Sequence, residues 1–230
     1  AFSLEILEAA KNGDGESQYY LFKVLDKCRW IFESERELTS IAQGLPILYS
    51  RIIEPTRTLC AGFDKDNLTL FNLSEKRMDS YRIKMQWVSM SAENGYAPAV
   101  INDWFDNRRS YGYDETIAKM RGVLESKHPD VYHFLSLMPN KEKHQKYAWQ
   151  FLACDYGYDC STTSLEFWKY DSLIDCNPIN SSHRVCSEEL DYLNTIKESL
   201  SEEELEKSLE TKEWLKEMIE SGQVEKIINS

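Results

Sequence analysis

Six cysteines, four histidines and a surplus of carboxylates are the residues of this chain whose chemistry could matter. Cys28, Cys60, Cys154, Cys160, Cys176 and Cys186 form an even set, four of them crowded into one region. A structural zinc site usually sets two thiolates on one tight turn, as Cys-x-x-Cys, so that both sulfurs reach a metal at about 2.3 Å. Here DYGYD separates Cys154 from Cys160, and neither Cys-x-x-Cys nor a compact Cys/His pair occurs. Disulfides in an oxidising compartment are the favoured reading. The last four cysteines allow three pairings among themselves, Cys28 and Cys60 can form a further bridge, and the sequence leaves the connectivity open. The competing reading is buried free thiols, with Cys28 an ordinary core residue on the apolar face of a helix.

The remaining chemistry is sparse. His128, His133, His144 and His183 are scattered, and His128 and His133 stand five apart, off the i, i+4 spacing that aims two imidazoles at one metal. There is no Gly-x-Ser-x-Gly elbow, no phosphate-cradling glycine loop and no His-Glu-x-x-His helix. Asp103 with Asp106, and Asp155 with Asp159, read as turn and surface carboxylates before they read as acid–base pairs. No catalytic residue, metal or cofactor is expected. One local cluster, Asp103, Asp106, Asn107, Arg108, Arg109, Tyr111 and Tyr113, combines the arginine and tyrosine that dominate protein interfaces, and is the candidate partner-binding segment.

The elements that must position these residues read as helices. Tyr81, Met85, Val88 and Ala92 share one helical stripe, Asn94-Gly95 supplies a left-handed C-cap, and Pro98 suits the first turn of a new helix lined by Ala97, Ile101, Trp104 and Phe105. The N-terminus repeats the pattern: Phe2, Ile6 and Ala9 or Ala10, then Asn12-Gly13, then Leu21, Val24, Leu25 and Cys28. Tyr147, Phe151 and Cys154 keep helical spacing, with Gly157 to end that helix. Near the C-terminus Leu190, Leu193 and Ile196 or Lys197 precede a capping box of Ser201 and Glu204, which opens a helix bearing Leu205, Leu209, Leu215 and Ile219. Its many glutamates read as a solvated face in preference to a docking surface for a basic partner.

The recurring Ala-x-Asn-Gly resembles the Sel-one-like repeats, relatives of the tetratricopeptide repeats. Ala10, Gly13, Tyr19 and Leu21 carry the resemblance in one copy, and Ala92, Gly95, Ala97, Pro98 and Ala99 in a second. A third, VLESKHPDVYHFLSLM, has Pro129 but no glycine at its turn. The stretch ACDYGYDCS resembles a motif of secreted or periplasmic helical proteins of proteobacteria. These resemblances imply an all-α fold of antiparallel helix pairs stacked as a short α-solenoid, with a disulfide-stapled loop and C-terminal capping helices. The expected divisions are a helical-repeat region over 1–153, a Cys-rich loop segment over 154–186 and acidic capping helices over 187–230.

Charge and composition bound the function. A formal net charge of -12 repels nucleic acid and anionic lipid. No apolar run reaches the roughly 18 residues of a membrane span. Hydrophobic residues at 42% suffice for a folded core, which excludes wholesale disorder. The opening AFSLEILEAA lacks an initiator Met, as after removal of a secretory signal or trimming of the chain. Sequons at Asn67, Asn72 and Asn180 are noted without weight. The expectation is a monomeric, non-catalytic, periplasmic or secreted protein-interaction module, an adaptor or a toxin-neutralising immunity protein with a basic protein partner. A hydrolase acting on envelope material, drawing acids and histidines from Asp103 to His133, is the alternative, and a structural envelope component a third.

Overall fold

The computed structural model describes residues 4–33, 54–60, 80–107, 112–138, 141–160, 196–197 and 200–228. Their regular structure is entirely helical: α1 (Leu4–Lys11), α2 (Gly15–Glu33), α3 (Glu54–Cys60), α4 (Ser80–Glu93), α5 (Ala97–Asn107), α6 (Tyr113–Glu125), α7 (Pro129–Ser136), α8 (Lys143–Asp155), α9 (Glu202–Glu220) and α10 (Val224–Ile228). The all-α expectation therefore holds for these residues. No helix among them is long and apolar enough to cross a membrane. The chain forms two compact units that interleave along the sequence: residues 1–87 with 160–192, and residues 88–159 with 193–230.

Four helices end in the same corner. At each, a glycine in the left-handed region donates its N–H to the carbonyl three residues back, and the next residue donates to the carbonyl five back, which together satisfy two orphan carbonyls of the last turn. Gly13 bonds Ala10 and Asp14 bonds Ala9, both at 3.1 Å; Gly95 bonds Ala92 and Tyr96 bonds Ser91. Gly157 and Tyr158 bond Cys154 and Ala153, and Gly222 and Gln223 bond Ile219 and Met218. The Asn-Gly corners and the Gly157 stop were legible in the sequence; the corner at Gly222, in IESGQ, was not.

The glycine-free turn makes the same corner by another route. Lys127 takes the left-handed conformation at φ 55° and donates to Leu124 O at 3.4 Å. The second bond is relayed through a hydroxyl: His128 N donates to Ser126 Oγ at 3.3 Å, and Ser126 Oγ donates to Val123 O at 2.6 Å. A serine thus replaces the direct backbone bond.

In the first unit α1 packs along α2, and α2 along α3. Leu7, Ala10, Leu21, Val24, Leu25, Ile83 and Trp87 surround Cys28 and Cys60 in one apolar cluster. Those two cysteines are joined, Cα to Cα 5.3 Å, and both are buried. Gln18, fully buried, donates from Nε2 to Ala10 O at 2.8 Å, which ties α2 to the end of α1. Lys84 reaches Asp26 at 2.8 Å with its ammonium 5.3 Å from the Phe22 ring centroid and 5.2 Å from that of Tyr81. The stripe expected on α4 is rotated: Ile83, Lys84, Trp87, Val88 and Ser91 are buried, whereas Tyr81 is 52% exposed. The bulk of Trp87 and the Lys84 ion pair turn the helix away from the face that counting small apolar residues selects.

In the second unit α8 is the centre. Ala148 through Ala153 are all buried, so this helix is covered on every side. It packs closely with α7 and with α9; α5 lies along α6 and α7, and α10 along α6. Close packing here joins α5 with α6 and α7 with α8. Tyr132 sits at the heart, stacked on Trp149 at 5.8 Å, edge-on to Tyr156 at 5.1 Å, and donating its hydroxyl to Leu124 O at 3.0 Å. The expected capping box opens α9: Glu204 N donates to Ser201 Oγ and Ser201 N to Glu204 Oε2. Leu209 departs from its expected inward position and is 38% exposed; Ser208 and Met218 take the inner face with Leu215 and Ile219. Lys143 to Glu204 and Lys212 to Asp155, each 2.9 Å, fix α9 against α8.

Candidate functional site

The candidate segment falls at the end of α5 and the start of α6. Arg108, Arg109 and Tyr111 lie outside the described residues, as do Cys176 and Cys186. Asp103, Asp106 and Asn107 lie in the last turns of α5, and Tyr113 is the first residue of α6, which packs along α5. Asn107 Nδ2 donates to Asp103 Oδ1 at 2.9 Å, closing the last turn of α5, and Asp106 and Asn107 are exposed. Tyr113 opens α6 and is 71% exposed. Asp114 and Glu115 follow it in the first turn, where carboxylates are favoured by the helix dipole.

The end of α5 is anchored from beneath. Asn102 Nδ2 donates to Pro98 O at 2.7 Å, Phe105 meets Phe134 edge-on at 5.7 Å, and Trp104 packs against the core beside Ile101. The end of α5 thus rests on a packed base, with exposed Asp106 and Asn107 above it.

The groups with displaced acidity lie elsewhere. Burial pushes the Tyr132 hydroxyl well above the usual phenol range, and Tyr156 beside it adds to the effect, so this buried hydroxyl stays a donor. Tyr156 is raised by burial and by Glu220, which accepts its hydroxyl at 3.4 Å. Burial lowers Lys141, whose ammonium lies 5.5 Å from the Trp149 ring centroid. His128 caps α7, and His133 stacks on Tyr158 at 4.2 Å. Among the described residues no three His, Cys, Asp or Glu side chains are grouped to hold a metal ion.

The cysteines resolve in part. Cys28 pairs with Cys60, and Cys154 and Cys160 are also disulfide-bonded; no described cysteine is free. The sequence left the Cys28–Cys60 bridge open because the pairing depends on how α3 meets α2 in space, which spacing does not encode.

No family model, curated protein or solved structure matches this chain.

Proposed function

We propose that the chain is a non-catalytic protein-interaction module of the periplasm or extracellular space, a degenerate Sel-one-like array acting as an adaptor or as an immunity protein that neutralises a basic toxin. The observation that carries this reading is the pair of helix ends flanking the candidate segment: exposed Asp106 near the end of α5, and at the start of α6 Tyr113, 71% exposed and followed by Asp114 and Glu115. A largely exposed aromatic ring is a large contact area that a partner can cover at low ordering cost. The acidic rim and the net charge of -12 favour a cationic partner through steering. Two further features support the setting: a buried disulfide that requires oxidising conditions to form, and repeated left-handed corners of the kind the resemblance implies.

The envelope-hydrolase reading draws on histidines that here have structural duties, His128 as a helix cap and His133 as a ring stack. The test is site-specific photo-crosslinking. A benzophenone amino acid at position 113, in chain exported to the periplasm of its native host, is expected to yield one discrete adduct with a basic protein that weakens with added salt. The same probe at Ala118 serves as reference. Equal, diffuse labelling at both positions, or none at 113, defeats the reading.

A further inference from the structure

We infer that His128 is a pH-sensitive latch on the first turn of α7: while neutral its ring caps that turn and bonds Tyr96 at the Gly95 corner, and on protonation it keeps Tyr96 but lets the turn go. The geometry begins with Pro129, the first residue of α7, which has no N–H to satisfy. The next two donors of that turn both go to His128: Asp130 N to the ring Nδ1 at 3.2 Å, and Val131 N to the His128 carbonyl at 3.0 Å. Because Nδ1 accepts a backbone N–H, the neutral ring carries its proton on Nε2. That Nε2 lies 2.9 Å from the Tyr96 hydroxyl, with the rings edge-on at 5.5 Å, so Nε2–H donates to Tyr96. Tyr96 is itself the residue that completes the Gly95 corner through its bond to Ser91 O. One imidazole therefore joins two helix termini.

Protonation affects the two bonds differently. Nε2–H still donates to Tyr96, but Nδ1 becomes a donor facing the Asp130 N–H, and positive charge appears at the positive end of the α7 dipole. Around the ring, α7 carries Asp130 and His133, the turn after α6 carries Lys127 beyond Glu125, and the Gly95 corner carries Tyr96 beyond Glu93. A neighbouring carboxylate or ammonium does not turn the protonated Nδ1–H back into an acceptor for the Asp130 N–H. The cap exists only with a neutral ring, so its contribution is present above the histidine range and is lost as pH falls through it. The stake is local order in a helix that buries Val131, Tyr132 and Leu135 in the core of this unit.

The comparison is wild type against His128→Asn, since asparagine keeps an N-cap acceptor and does not titrate. Urea unfolding from pH 7.5 to 5.0 is expected to show the wild-type folding constant falling about tenfold more than that of H128N, the size of one N-cap. The other three histidines are common to both proteins and cancel in the difference. Hydrogen exchange at the Asp130 amide of the wild type supplies a reading that needs no variant, with protection expected to drop over the same interval. Parallel stability curves, or Asp130 protection unchanged between pH 7.5 and 5.0, overturn the latch.

Discussion

Two buried glutamines should respond in opposite directions to the same substitution. Gln150, 1% exposed on the fully covered α8, has its side-chain carbonyl Oε1 buried without a hydrogen-bond partner. Leaving such an acceptor dry costs about 1–3 kcal/mol relative to water. Gln150→Met keeps chain length, flexibility and helix propensity while removing the stranded amide, so the change should stabilise the fold by about 1–2 kcal/mol. At this chain length that is roughly a 2–8 °C rise in Tm. Gln18 is equally hidden, yet its Nε2 donates to Ala10 O at 2.8 Å. Gln18→Met should cost about 1 kcal/mol or more, since it removes a donor to Ala10 O, which still accepts from Gly13 N at 3.1 Å. Urea denaturation with the linear extrapolation, run on both variants and the parent, provides the comparison. A destabilised Gln150→Met would show that the amide is satisfied by an ordered water, and the reasoning would fail.

The left-handed corners give a paired prediction: Lys127→Gly should gain about 1 kcal/mol by relieving φ 55°, while Gly95→Ala should lose about 1–2 kcal/mol through backbone alone, since nothing lies within 4 Å of an added Cβ. Equal stability of parent and both variants would refute it. Cys28→Ser with Cys60→Ser opens a loop of sequence separation 32 and should cost about 3–4 kcal/mol by chain entropy, read from the shift of the denaturation midpoint. Glu204 is lowered by the Ser201 backbone N–H and by Lys143, and Glu203 by Lys207. A depressed carboxylate contributes stability that is complete above the unfolded value of 4.5 and is lost as pH falls through the lower folded one. Fraying of the first turn of α9 should therefore begin below about pH 4.5, and exchange at the Glu204 amide should report it.

Much of the helix punctuation was legible because it is local chemistry. Asn12-Gly13, Asn94-Gly95 and Ser201 with Glu204 signal their corners and caps within a few residues, and the structure places each where expected. Leu21, Val24, Leu25 and Cys28 are all buried, as their spacing implied. Facing was harder. Tyr81 and Leu209 entered the apolar stripes by type but point outward, because a large neighbour such as Trp87 or a tertiary ion pair such as Lys84 with Asp26 sets helix rotation. The Ser126 relay was illegible, since it needs Lys127 in a conformation that lysine rarely adopts. Of the candidate site, Tyr113 and Asp106 are exposed, whereas Asp103 is engaged by Asn107. The pairing of Cys28 with Cys60 and the role of His128 as a cap depend on partners that no local pattern announces.

The burial of α8 on every side has a consequence for how the chain comes off the ribosome. Its outer wall is supplied by α9, which is made only after α8 and the stretch between them. Until then Trp149 and Leu152 ride on a nascent segment with an uncovered greasy flank, a natural holding point for a chaperone.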